Sequence, residues 1–151
     1  MVTWEVSGSV DLVVNSSVPA HAPLLVVDDD QGFRGVLHMA AEEWGYPVAA
    51  ASIGDARRYL QAATRSHIVI LDFLLPLENA DGLLRLVADD ESLRRHRFIL
   101  IPANPPTRFS DEAQRLIARW CSAVIIKTFD LETLFACIRS EEAHLLQPQP
   151  L

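Results

Sequence analysis

The sequence predicts an α/β fold, a doubly wound parallel sheet of five strands carrying five helices in three α/β/α layers. Three observations predict it. Short apolar runs alternate with stretches of helical spacing five times over, the signature of strands joined by right-handed helical crossovers. The runs are apolar on both faces, as strands covered by helices must be. Three of them lead directly into charged residues, at the carboxyl ends where ligands collect in open sheets of this kind.

Taken in order, residues 1–22 alternate weakly around Ser7-Gly8-Ser9 and read as a hairpin or a loose arm. Pro19 and Pro23 bracket a linker, and Leu24-Leu25-Val26-Val27 is the first strand, ending in Asp28-Asp29-Asp30. Residues 32–44 place Phe33, Val36, Leu37, Ala40, Ala41 and Trp44 at helical spacing, closed by Gly45. Pro47 to Ala51 is a short second strand. Gly54-Asp55 opens a helix with Ala56, Tyr59, Leu60 and Ala63 on one face.

The third strand is the most explicit. Ile68-Val69-Ile70-Leu71 runs into Asp72, and Pro76 forbids regular continuation. Asp81-Gly82 starts a helix through Leu83, Leu84, Leu86 and Val87. Arg94, Arg95 and Arg97 read as a solvated lead-in, rather than an anion site, to a fourth strand, Phe98-Ile99-Leu100-Ile101, which Pro102 ends. Ser110-Asp111-Glu112 launches a helix carrying Leu116, Ile117 and Trp120. Ala123-Val124-Ile125-Ile126 is the fifth strand, and Leu131, Leu134, Phe135 and Ile138 mark the last helix. One domain over 23–142 follows, with Gln147-Pro148-Gln149-Pro150 in a tail or linker over 143–151.

Composition narrows the function. The chain has 151 residues, half of them apolar, enough for one substantial core and too few for a second domain. A formal net charge of −7 leaves no basic footprint for nucleic acid, and an anionic membrane would repel it. Cys121 and Cys137 lie in apolar, helical contexts without metal-ligand spacing, which suits a reducing compartment. No apolar run approaches the roughly eighteen residues of a membrane span, and Met1-Val2-Thr3-Trp4-Glu5 lacks the charged start of a signal peptide. A cytoplasmic protein is expected.

The basic residues are twelve arginines and a single lysine, Lys127, at the end of the fifth run. In a doubly wound sheet the ends of strands one, three and five can face one crevice, which would gather Asp28, Asp29, Asp72 and Lys127. Each acid also has a plainer role, capping the turn or helix that follows. Together, three carboxylates and an ammonium make a magnesium and phosphoryl site. A divalent cation neutralises the clustered acids, Asp72 can attack phosphorus, and Lys127 can pair with the phosphoryl oxygens.

These residues carry a resemblance. Leu24 to Asp30 resembles the acidic-pair strand of response regulator receiver domains of bacterial two-component signalling. Ile68 to Pro76, with Asp81-Gly82-Leu83, is similar to the phosphoacceptor segment, and Val124-Ile125-Ile126-Lys127-Thr128-Phe129-Asp130 to the lysine segment. The resemblance covers about residues 23–142. It implies a flavodoxin-like strand order 2-1-3-4-5, with Mg2+ held by Asp28, Asp29, Asp72 and the backbone carbonyl of Leu74. It further implies phosphoryl transfer to Asp72 from a histidine kinase or phosphotransfer protein, with pairing by Lys127 and phosphate contacts from the backbone of Phe73 and Ala103. A downstream protein effector, and a homodimer through the face of helix four, strand five and helix five, belong to the same implication. So does the absence of enzymatic turnover beyond self-phosphotransfer and slow autodephosphorylation.

The chain departs from that pattern where the family relays its signal. The serine or threonine that usually ends the fourth strand is Pro102, which has neither a hydroxyl nor an N–H. The rotating aromatic three residues before the lysine is Val124, stiff at χ1. The usual proline after the lysine is Thr128, where a cis bond would cost about 2.5–4 kcal/mol, so a trans bond is expected. The segment after Pro76 is two residues longer, through Glu78-Asn79-Ala80.

Two readings share this fold. Either phosphorylation survives with an unusual output, or the domain is a degenerate receiver that binds partners through helices four and five, near Arg115, Arg119 and Cys121. A hydrolase with an aspartyl-phosphate intermediate is disfavoured, because the position of its second acid is Leu74, which cannot move a proton. A flavodoxin-like cofactor binder would need a Gly- or Ser/Thr-rich phosphate loop after the first strand, and none is there.

Overall fold

The computed structural model describes residues 21–28, 31–73, 77–102, 106–126 and 130–146, without the side chains of 31–33, 72–82 and 106. The expected arm lies outside the described residues except for His21 and Ala22, whereas residues 143–146 of the expected tail are described and continue the last helix, so the tail begins later than expected. Strands β1 (Leu24–Val27), β2 (Val48–Ala51), β3 (Ile68–Phe73), β4 (Arg97–Pro102) and β5 (Cys121–Val124) alternate with helices α1 (Gln31–Glu43), α2 (Ile53–Ala62), α3 (Leu77–Asp89), α4 (Asp111–Trp120) and α5 (Leu131–Leu146). The sheet is wholly parallel in the order β2-β1-β3-β4-β5. The expected architecture is the observed one.

Each face of the sheet buries its own core. Leu25, Val27, Val69, Leu71, Phe98 and Leu100 point to one side, against Leu60, Leu83, Leu84 and Ile117. Leu24, Val26, Ile68, Ile70, Ile99 and Ile101 point to the other, against Leu37, Ala41, Leu134 and Ile138. Both sets alternate along the same strands, as the twofold period of a β-strand requires.

Local chemistry sets the helix ends. Ser52 caps α2 by accepting the Asp55 N–H at 3.3 Å, and Ser110 caps α4 by accepting the Ala113 N–H at 3.1 Å. At the end of α1, Gly45 takes φ +86°. Its N–H bonds the Glu42 carbonyl while the Tyr46 N–H bonds Ala41, a Schellman closure that a side chain at position 45 would strain.

Several expectations need correction. Helix α3 begins at Leu77, four residues before Asp81, because Glu78, Asn79 and Ala80 extend a helical run that Gly82 does not interrupt. Strand β5 begins at Cys121, directly from α4, and ends at Val124 rather than Ile126. It is an edge strand with alternating partial burial, so Cys121, Ser122 and Ala123 suffice where a continuous apolar run was expected. Cys121 is consequently a strand residue. Arg94 and Arg95 are exposed, as expected, but the arginines before β4 are also structural donors. Arg94 donates to the Val87 carbonyl at 3.1 Å and to Ala88, Arg95 donates to the Leu60 and Ala63 carbonyls, and Arg97 pairs with Glu141 at 2.8 Å. The first two close the C-termini of α3 and α2, where a cation offsets the helix dipole.

Candidate functional site

The carboxyl edge of the sheet is where the expected site residues belong. Parallel pairing sets Val27 opposite Leu71, so Asp28 and Asp72, each one residue further on, lie level on adjacent strands. Asp28 continues the ladder on its other side, donating its N–H to Ala51 at 3.2 Å, and the residue is fully buried. On the far side of β3, Asp72 is opposite Ile101 and Phe73 opposite Pro102. Arg34, on α1, donates to the Asp28 backbone carbonyl at 3.2 Å and brings a guanidinium to the same edge.

Two of the departures, Pro102 and Val124, have definite places, whereas Thr128 lies outside the described residues. Pro102 is buried as the last residue of β4, where strand pairing on the β5 side has already ended. It therefore costs the ladder no hydrogen bond. Val124 lies opposite Leu100 and is 39% exposed, a short branched side chain on an open edge strand.

Asp29, Leu74, Ala103 and Lys127 lie outside the described residues, as do the side chains of Asp72 and Phe73. Among the described residues, no group of three His, Cys, Asp or Glu side chains could hold a metal, and Asp28 is the only expected acidic ligand whose side chain is described. The donor chemistry that Asp28 supplies fits magnesium. A carboxylate at zero exposure, level with a second aspartate, offers hard anionic oxygens whose burial a small divalent cation would compensate.

The opposite, amino edge holds polar groups that the sequence reading passed over. Glu142 on α5 accepts the Ala22 N–H at 2.6 Å, the Tyr46 hydroxyl at 2.9 Å and the His21 Nδ1 at 3.1 Å. Burial pushes its carboxyl up, but the three donors together outweigh burial and hold it below the usual carboxylate range. The Tyr46 phenol is pushed well above its usual value, first by burial and then by bonding to Glu142. His67 and His96 are buried together: the His67 backbone N–H donates to His96 Nδ1 at 2.9 Å, which leaves the His96 Nε2 proton for the Leu60 carbonyl at 3.1 Å. Burial pulls His96 down to about 4 and lowers His67 as well. The signal for Glu142 was present in the sequence, since position 142 falls on the stripe of Leu134 and Ile138, where an acid must be buried or bonded.

No protein-family model matches the chain. Over 94 residues, 62% of its length, it is 32% identical to the transcriptional regulatory protein GltR of Pseudomonas aeruginosa, and the match spans 37% of that protein. Among solved structures, the signal receiver domain of a signal transduction histidine kinase from Syntrophus aciditrophicus is 18% identical, with TM-score 0.70, covering 86% of this chain and 96% of that one. The receiver domain of the sensor histidine kinase PA1611 of Pseudomonas aeruginosa, described with a magnesium ion coordinated in its active site cleft, is 19% identical. Its TM-score is 0.65, covering 80% of this chain and 97% of that domain. The chain thus has the fold of response regulator receiver domains, and among its described residues no helix is long and apolar enough to cross a membrane.

Proposed function

We propose that the chain is a phosphoacceptor domain of two-component signalling, in which Asp72 takes a phosphoryl group from a phosphohistidine of a kinase or phosphotransfer protein. The observation that carries this is the level placement of Asp72 and the buried Asp28 at the carboxyl edge of a 2-1-3-4-5 parallel sheet. In the transfer, a carboxylate oxygen of Asp72 attacks phosphorus and a P–O bond forms. The P–N bond to the imidazole breaks, and its electron pair remains on that nitrogen. Magnesium would be held by Asp28, Asp29, Asp72 and the Leu74 carbonyl, and would supply neutralisation of the acids and of the charge on the transferred group. Lys127 pairs with a phosphoryl oxygen, and the backbone of Phe73 and Ala103 contacts the others. The domain works in the cytoplasm by engaging a protein effector, with a homodimer through α4, β5 and α5 as one form of output. It has no turnover beyond self-phosphotransfer and slow autodephosphorylation.

Incubation with acetyl phosphate and magnesium, followed by mass spectrometry, tests this reading. One phosphoryl adduct, trapped by borohydride as a reduced residue at position 72 and absent from Asp72→Asn, is expected. An unmodified protein, or an adduct elsewhere, would contradict it.

A further inference from the structure

At the amino edge of the sheet, on the side away from Asp72, a cavity of about 250 Å³ lies between the starts of β4 and β5 and the ends of α3 and α4. Its walls include Arg94, Arg97, Arg119, Trp120 and Ser122. The guanidinium carbon of Arg94 lies 4.9 Å from the centroid of the Trp120 ring and that of Arg119 lies 5.0 Å from it, so two cations converge on one indole. Cation–π attraction holds each and does nothing to neutralise them.

The charges do not cancel within the protein. Arg97 is neutralised by the buried carboxylate of Glu141. Arg94 bonds helix carbonyls and meets Glu91 only at 3.8 Å, and that carboxylate is 90% exposed. Among the described residues Arg119 has no carboxylate partner. Two helix C-termini face the cavity with about −0.5 charge each, which two full guanidinium charges exceed. His96 adds no charge at neutral pH, since burial holds it neutral. A chain of net charge −7 has therefore gathered uncompensated positive charge into a concave site with an aromatic wall.

We propose that this cavity is a binding site for a small oxyanion, a phosphate- or carboxylate-bearing molecule held by the Arg119 and Arg94 guanidiniums beside the Trp120 ring. Guanidinium forks match the paired oxygens of both groups. At ~30 Å³ per water, the volume holds an oxyanion with a short organic body and excludes a dinucleotide. The occupant touches the last turn of α4, whose first turn lies at the carboxyl edge, so it can bias the helix without contacting the phosphoacceptor edge.

The test uses nitrogen-15-labelled full chain in EDTA, without divalent cations, titrated with sodium phosphate, with sodium citrate, and with sodium chloride at matched ionic strength. Saturable movement of the Trp120 indole and of the Arg119 and Ser122 amides by phosphate or citrate, weakened at least tenfold by Arg119→Gln, is expected. The stronger of the two anions identifies the ligand as phosphoryl or carboxylate. Arg119 is exposed, so its replacement leaves the core intact. Equal movement with chloride, no saturation, or indifference to Arg119→Gln would overturn the site. The result must also hold in Asp72→Asn, so failure here is separate from failure of phosphorylation.

Discussion

Asp28 and Asp72 stand level on neighbouring parallel strands, one residue beyond the paired Val27 and Leu71. That relationship joins two acids 44 positions apart in sequence and makes the carboxyl edge of the sheet the place to test. Asp28 is fully buried at that edge, where its carboxylate would be a hard oxygen donor to a divalent cation. Asp28→Ala should therefore weaken magnesium binding roughly tenfold or more, ~1.4 kcal/mol per decade. Calorimetric titration checks this; unchanged magnesium affinity would remove Asp28 from the site.

Phosphoryl chemistry and its relay should be separable. With Pro102 buried at the end of β4 and Val124 lacking a ring to rotate, the changes caused by beryllofluoride should stay near residues 28, 73 and 102. Amide shifts over Ala113–Trp120 should be small. Large movement of α4 would show that another pair of residues carries the relay.

Much of this was legible because strands that are apolar on both faces announce themselves. Leu24–Val27 and Ile68–Leu71 needed no context, and the acids that follow them inherit their register. Strand β5 was misplaced by two residues because an edge strand needs only one buried face, so Cys121-Ser122-Ala123 gave no apolar run to recognise. The bonds of the arginines before β4 were hidden because the partners of Arg94 and Arg95 are backbone carbonyls of α2 and α3, and that of Arg97 is Glu141 on α5, which no sequence spacing reveals. Glu142 was visible only as an acid out of place on an apolar stripe. Its partners come from positions 120 and 96 residues away.

The Glu142 cluster should hold the entry to β1 in place. Glu142→Ala removes acceptors from the Ala22 N–H and the Tyr46 hydroxyl at once, and leaves two buried donors unbonded. A loss of about 3 kcal/mol is expected from urea unfolding. Because the folded carboxyl titrates below its usual range, the stabilisation is present above about pH 4.5 and is lost as pH falls through the lowered value. Loss of less than about 1 kcal/mol would mean that water replaces the carboxylate.

The buried histidines give a second acid-sensitive window. In the unfolded chain they take up protons near pH 6.5, whereas folding keeps His96 neutral down to about 4 and also lowers His67. Stability is thus full above pH 6.5 and falls as the unfolded state gains protons that the folded state refuses. Between pH 7 and 5 His96 alone should remove about 2 kcal/mol. His96→Gln should flatten that slope in urea melts while lowering stability at pH 8; an unchanged slope would place the titration elsewhere.

The central claim is that the carboxyl edge is a working phosphoryl site, and a titration of beryllofluoride in the presence of magnesium, followed by amide NMR on the native chain and on Asp72→Asn, tests it most directly. Saturable binding of both, with shifts centred on Asp28 and Phe73 and abolished by Asp72→Asn, is the predicted result. Absence of magnesium binding at millimolar concentration, or beryllofluoride binding indifferent to Asp72→Asn, would contradict it.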